Sequence, residues 1–235
     1  MSQLIFGLNK LRINSNKRVL NIENVEFELQ SGKNAVAIMG ESGIGKTSIF
    51  KSLFRTYIDF WQKESRLQFE CKHEINGITY SHTHIKSKKV KPNFGFATQV
   101  PYFDNSKSVK YNLFFPLNWI KEKWTTTNKN DFIDLFELNH IIDANMYELS
   151  GGQRQIINIA RVFLSKPELV IIDECFSNIN EDMARKYIDI LNTNFGDCIF
   201  IITSHRKSDI DYFNAQKVSI GLKKHHNKIE YVSII

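Results

Sequence analysis

Apolar runs without a polar break stand out at Leu169-Val170-Ile171-Ile172 and Cys198-Ile199-Phe200-Ile201-Ile202. Strands apolar on both faces belong in a parallel sheet covered by helices. Asn34–Met39 reads in the same way, as a short buried strand. Directly after it, Ile49, Phe50, Leu53 and Phe54 carry the spacing of an amphipathic helix, predicted to run to about Phe60. Residues 1–35 instead alternate, as in Val25-Glu26-Phe27-Glu28-Leu29, and turn at Ser31-Gly32, which predicts a β-rich start. Short alternating runs recur over 66–98, such as Leu67-Gln68-Phe69-Glu70-Cys71, around a turn at Asn76-Gly77. They predict a small antiparallel layer. From about Ser106 to Leu164 the pattern turns helical. Phe132, Ile133, Leu135, Phe136 and Leu138 form an apolar face there, and a further helix starts near Gly152 and runs to Leu164. The fold class is therefore α/β, with no internal repeat or long linker.

Between the strand at 34–39 and the helix that follows lies Gly40-Glu41-Ser42-Gly43-Ile44-Gly45-Lys46-Thr47. It fits the phosphate-binding pattern G-x-x-x-x-G-K-S/T in the strand–loop–helix context that pattern needs. Gly40, Gly43 and Gly45 let the backbone fold into a concavity of inward N–H groups, and the helix opening at Thr47-Ser48 adds its positive dipole end. Lys46 reaches the β- and γ-phosphates in such a loop, and the Thr47 hydroxyl ligates Mg²⁺.

At 235 residues the chain has room for one large α/β domain with an inserted subdomain. Its three cysteines, Cys71, Cys175 and Cys198, form no CxxC pair, which argues against a disulfide framework or a zinc site. No apolar run approaches the roughly 20 residues that span a bilayer. The N-terminus lacks the basic start and apolar centre of a secretory signal, so a cytoplasmic protein is expected. The net charge of +6 is a mild bias, and the lysines at 86–91 and 223–228 read as solvated loops. Histidine pairs at His82/His84 and His225/His226 lack companions at ligand spacing, so no metal beyond Mg²⁺ is assigned.

A second constellation narrows the reading. Leu149-Ser150-Gly151-Gly152-Gln153 stands at a loop-to-helix boundary, where Ser150 can cap the helix and Gly151 and Gly152 expose N–H groups to an anion. It continues into Gln155-Ile156-Ile157-Asn158-Ile159-Ala160-Arg161. The apolar strand at 169–172 ends in Asp173-Glu174, and Ile201-Ile202-Thr203-Ser204-His205 ends another strand in a histidine. In order and spacing, from about residue 18 to 222, these segments resemble the ATP-binding cassette (ABC) ATPases: P-loop, Q-loop, LSGGQ signature, Walker B and switch histidine.

The resemblance implies a P-loop NTPase (RecA-like) core over about 1–100 and 165–235, with an antiparallel β layer and an inserted α-helical signature subdomain over about 101–164. It implies ATP and Mg²⁺ as ligands. Asp173 would hold Mg²⁺ through its water shell, and Glu174 would be the general base for the water attacking the γ-phosphate. Gln99 would sense Mg²⁺ and that water, and His205 would contact the γ-phosphate. Hydrolysis in this family needs two cassettes head to tail, so Ser150, Gly151, Gly152 and Gln153 would act on the nucleotide of a second cassette, identical or related. Several positions depart from the family. No aromatic residue for adenine stacking occurs in 11–20, and Phe6 lies upstream unless a hairpin around Asn14-Ser15-Asn16 returns it. Cys175-Phe176 replaces Pro-Thr, Asn180 replaces the D-loop aspartate, and Ile156 replaces an arginine.

The segment Pro101–Asp104 through Ser108–Leu117 is similar to the stretch of transporter cassettes that receives a coupling helix. The implied function is the ATPase subunit of an ABC transporter, peripheral on the inner face of the membrane. Separate transmembrane permease subunits would be its partners, export its direction, and no nucleic acid is expected. The alternative is a soluble ABC ATPase acting on a non-membrane assembly, of the iron–sulfur scaffold or nucleic-acid type.

Overall fold

The computed structural model describes residues 4–14, 19–28, 33–40, 46, 66–75, 78–82, 94–118, 124–225 and 228–234. They fall into two compact units, Met1–Lys91 with Ala215–Ile235, and Pro92–Asn214. The helix expected over 48–60 and the turns expected at 31–32 and 76–77 lie outside the described residues.

The first unit contains β1 (Leu4–Asn14), β2 (Val19–Glu28), β3 (Ala35–Met39), β4 (Arg66–Ile75) and β5 (Ile78–His82), then β9 (Gln216–His225) and β10 (Lys228–Ile234). β1 pairs antiparallel with β2 on one edge and β4 on the other, and β4 pairs antiparallel with β5. Ile75 stands opposite Ile78 in that pairing. The β1–β2 pairing sets Asn14 opposite Val19 at one end and leaves Phe6 opposite Phe27 toward the other. β3 runs parallel to β9, with Val36 opposite Gln216, and β9 pairs antiparallel with β10. Ala35, Val36 and Ala37 are fully buried, as an apolar strand leading into the P-loop requires.

The second unit is built on parallel strands β6 (Phe94–Ala97), β7 (Leu169–Asp173) and β8 (Ile199–Thr203). Its helices are α1 (Val109–Phe114), α2 (Thr126–Leu135), α3 (Gly151–Val162), α4 (Glu181–Asn194) and α5 (Lys207–Tyr212). Every residue of β7 and β8 is buried, which matches their unbroken apolar sequence. Phe136, Phe163, Phe200 and Phe213 are the largest fully buried side chains, and ring centroids 4.3 Å apart join Phe163 to Phe195.

The structure corrects the sequence reading in two places. The antiparallel layer expected over 66–98 does not extend to its end, because Phe94–Ala97 pairs parallel with Leu169–Ile172. The alternation there reflects a strand that must admit a helix on one face. A Cβ at Gly95 would lie 2.1 Å from Val162 Cγ1 and 3.1 Å from Val170 Cγ2, so only glycine lets α3 settle against β6. The helix expected to reach Leu164 stops at Val162. A 3₁₀ turn covers Phe163–Ser165, and Lys166 closes it in the left-handed region at φ 47°.

Gly95→Ala is expected to lower stability by about 1–3 kcal/mol through overpacking against Val162. Adding Val162→Ala should recover much of that loss, and urea midpoints of the two variants check both statements.

Candidate functional site

Parallel pairing of β7 with β8 sets Thr203 beside Asp173 at the strand ends. The Thr203 hydroxyl donates to Asp173 Oδ1 at 2.7 Å and accepts from the Glu174 N–H at 3.0 Å. The Thr203 carbonyl accepts from the same N–H at 3.1 Å. One threonine thus fixes both acids. Glu174 leaves the strand at φ 52°, a backbone region that non-glycine residues enter at a cost on the order of 1–3 kcal/mol. Its carboxylate sits between two side chains. Gln99 Nε2 donates to Oε2 at 2.8 Å, and His205 Nε2 stands 2.9 Å from Oε1. Glu174 keeps 17% of its side-chain surface open and His205 keeps 54%, so the cluster meets solvent at one edge.

Cys175 follows inside the fold, fully buried. Burial first, and the Asp173 charge second, push its thiol well above the usual range, so it remains an S–H group. That thiol donates to the Thr98 carbonyl beside Gln99, at an S···O distance of 3.4 Å.

The loop after Glu174 is braced from the other side. Arg206 Nη2 donates to the Phe176 carbonyl and Nη1 to the Ile179 carbonyl, each at 2.7 Å. Its guanidinium also holds Asp209, which is 0% exposed, through Nε to Oδ2 at 3.2 Å and Nη2 to Oδ1 at 2.8 Å. Ser204 Oγ donates to Asp209 Oδ2 at 2.5 Å and accepts from the Arg206 N–H. Asn180 ends this loop as the N-cap of α4, its side-chain oxygen accepting from Met183 N at 2.8 Å. Asparagine caps a helix as well as aspartate does, so the local geometry survives the change of residue.

Ser150 caps α3 as its sequence predicts. Its hydroxyl accepts from Gln153 N at 3.2 Å, and Gln153 Oε1 accepts from Ser150 N at 3.0 Å, a reciprocal capping box. Ser150, Gly151, Gly152 and Gln153 line a cleft of about 510 Å³ together with Asn178 and Asn180. A Cβ at Gly152 would come within 3.2 Å of the Asn178 carbonyl, so the signature edge and the post-Glu174 loop are in close contact. In the first unit, Lys46 is 8% exposed and its Nζ donates to the Gly40 carbonyl at 2.7 Å. Glu41, Ser42, Gly43, Ile44, Gly45, Thr47 and Ser48 lie outside the described residues.

The structure therefore brings Gln99, Glu174 and His205 onto one carboxylate and joins Asp173 to them through Thr203. Thr203, Arg206 and Asp209 were missed by the sequence reading. Arg206 and Asp209, three residues apart around a helix start, were the one local signal. No group of three or more His, Cys, Asp or Glu among the described residues forms a metal cage. A lone strand-end carboxylate suits Mg²⁺, which binds by one or two carboxylates completed by waters and phosphate oxygens.

A family-level sequence profile described as ABC transporter matches residues 22–177. ATP-binding cassette sub-family B member 5 of Mus musculus is 30% identical over 193 residues, covering 80% of this chain and 15% of that protein. The chain thus spans about a seventh of the length of that relative. The probable ABC transporter ATP-binding protein p29 of Mesomycoplasma hyorhinis is 24% identical over 238 residues, covering 93% of this chain and 90% of p29. A solved structure titled as a bacterial Atm1-family ABC exporter with ATP bound superposes with a TM-score of 0.71 at 19% identity, over 93% of this chain and 37% of the exporter. That likeness concerns the fold.

Arg206→Ala strands the buried Asp209 carboxylate and frees two loop carbonyls. It is expected to destabilise the chain by about 3–5 kcal/mol. Arg206→Ala with Asp209→Asn should lose less, which denaturant titration of both variants will show.

Proposed function

The chain belongs to the ABC transporter family, whose members bind and hydrolyse ATP, and from that premise we propose that it is the nucleotide-hydrolysing subunit of an exporter. The observation that carries this reading is the Glu174 carboxylate clasped between Gln99 and His205 at the end of a buried strand. Each carboxylate oxygen has two lone-pair directions, so engagement by Gln99 and His205 leaves acceptor capacity for a water proton. In this reading Glu174 takes the proton of the attacking water, Gln99 and His205 orient its carboxylate, and His205 reaches the γ-phosphate as the bond breaks. Gly40–Ser48 would wrap the phosphates, with Lys46 balancing their charge. Asp173 and Thr47 would hold Mg²⁺, which neutralises phosphate charge when bound. Gln99 would stand near that ion. Residues 101–164 form the helical signature subdomain of this scheme, set between core segments 1–100 and 165–235.

Ser150, Gly151, Gly152 and Gln153 serve a second cassette, with two chains head to tail. Backbone N–H groups at the start of the capped α3 fit an incoming phosphate. Membrane partners are supported by the surface that follows Gln99. Val100 is 80% exposed and Tyr102 87%, with Tyr111 and Phe115 also open, and an apolar helix end from a permease subunit fits such a face. No helix among the described residues is long and apolar enough to cross a membrane, so the spanning segments of this scheme belong elsewhere. The chain would act on the inner face of the membrane.

Glu174→Gln is expected to keep ATP binding while lowering turnover about 100-fold or more. Unchanged turnover in a phosphate-release assay would remove Glu174 from the role of base. Lys46→Ala and Ser150→Arg chains, each inactive alone, should recover activity when mixed, because one of the two composite sites is then intact. A mixture as inactive as its parts would count against shared sites.

A further inference from the structure

Resting on the roles of Gln99 and Glu174 proposed above, we propose that Asn158 is a positioning residue for hydrolysis. It is the middle rung of a side-chain ladder by which α3 holds the Gln99 loop in register with Glu174. The side chain of Gln99 emerges on an exposed residue, so packing does not fix it, yet its amide stands 2.8 Å from Glu174 Oε2. What fixes it is its backbone. Gln155, Asn158 and Arg161 follow one another at three-residue intervals along one side of α3. Gln155 Nε2 donates to the Gln99 carbonyl, and Asn158 Nδ2 donates to the Thr98 carbonyl at 2.9 Å. Arg161 Nη1 donates to the Tyr102 carbonyl at 2.8 Å, and its guanidinium lies over the Phe103 ring at 4.4 Å.

Asn158 alone of the three joins the rungs to each other. Its Nδ2 also reaches Gln155 Oε1 at 3.3 Å, and its Oδ1 accepts from Arg161 Nη2 at 3.4 Å. It is 1% exposed, a depth at which an amide without partners is costly. Asparagine is also a poor helix former, so local preference does not account for it here. Cys175 joins the same point: its S–H donates to the Thr98 carbonyl and its sulfur lies 3.9 Å from Asn158 Nδ2. The ladder therefore grips the loop immediately before and at Gln99 and again at Tyr102, three residues beyond. Val100, between the grips, and the Tyr102 side chain project into solvent. Through these contacts Asn158 sets where the Gln99–Glu174 contact rests.

The test is a double-mutant cycle of Asn158→Leu with Gln99→Ala, read in kcat, in KM for ATP and in amide exchange over 98–103. Leucine keeps the branched outline of Asn158 and removes its donors and its acceptor. The expected result is a kcat about tenfold lower with KM within about twofold, faster exchange over 98–103, and no further loss when Asn158→Leu is added to Gln99→Ala. Equal losses in both backgrounds would overturn the proposal, because a general structural defect acts without Gln99. A loss on Gln99→Ala with none on Asn158→Leu overturns the role of Asn158 alone. No loss on Gln99→Ala overturns the role of Gln99 itself and the ladder's purpose with it. Should the leucine variant fail to fold, Asn158→Ala is read against the same outcomes.

Discussion

The parallel register of β7 against β8 is the constraint on which the site depends. Both strands are buried along their whole length, so polar groups can appear only where the strands end. Register decides which ends meet, and here it sets Thr203 beside Asp173. A slip of one residue would turn the threonine to the opposite face, and a slip toward Ile202 would leave an apolar residue beside the buried carboxylate. Asp173 is 3% exposed, and a carboxylate at that depth needs a donor. Thr203 provides it and, through the same oxygen and its own carbonyl, also anchors the N–H of Glu174. The left-handed turn at Glu174 is held by those two acceptors, and it is that turn that carries the carboxylate to Gln99 and His205.

From this anchor the loops of the second unit are tied to each other rather than left to their own preferences. Arg206 ties the histidine loop to Phe176 and Ile179, and the α3 ladder ties the glutamine loop to the signature helix. Both braces end on main-chain carbonyls. Carbonyls are present whatever the residue, so such braces fix backbone position without demanding particular side chains in the loop. They also leave the loops' own side chains, Gln99, His205 and Asn178, on the open side where a ligand or a second chain can reach them.

Much of this was legible in the chain. Ile171 and Ile202 lie in unbroken apolar runs, which announced buried parallel strands, and Ser150 at a loop-to-helix boundary announced a helix cap. Asp173, Glu174 and His205 were found through the resemblance to the ABC ATPases, which gives roles to residues at the ends of those strands. What could not be read was lateral. Thr203 appears in sequence as an ordinary β-branched strand residue, and only pairing with β7 gives its hydroxyl two acids to serve. Asn158 looks like a polar intruder in a helix until the Thr98 carbonyl arrives from sixty residues away in the chain. Phe94–Ala97 alternates like a half-exposed strand, yet it is part of the parallel sheet, and the approach of Val162 to Gly95 is invisible to any pattern along one strand.

The departures from the family pattern are best weighed by separating geometry from charge. Cys175 stands where the family has proline, and its neutral thiol turns the position into a hydrogen-bond donor for the Thr98 carbonyl, an interaction proline cannot make. Asn180 stands where the family has aspartate and keeps the helix cap. What it gives up is a negative charge at the mouth of the cleft that Ser150–Gln153 line. In the proposed scheme an anionic phosphate entering that cleft would meet a neutral amide instead of a carboxylate, with lower repulsion. The same neutrality removes a charge through which a facing chain could be attracted or ordered. Cys175 adds a tie within the chain between the acid loop and the glutamine loop, and Asn180 keeps the helix cap without a charge. Arg206 and the α3 ladder add further ties of the same kind, each relating one loop of the site to the next through main-chain carbonyls.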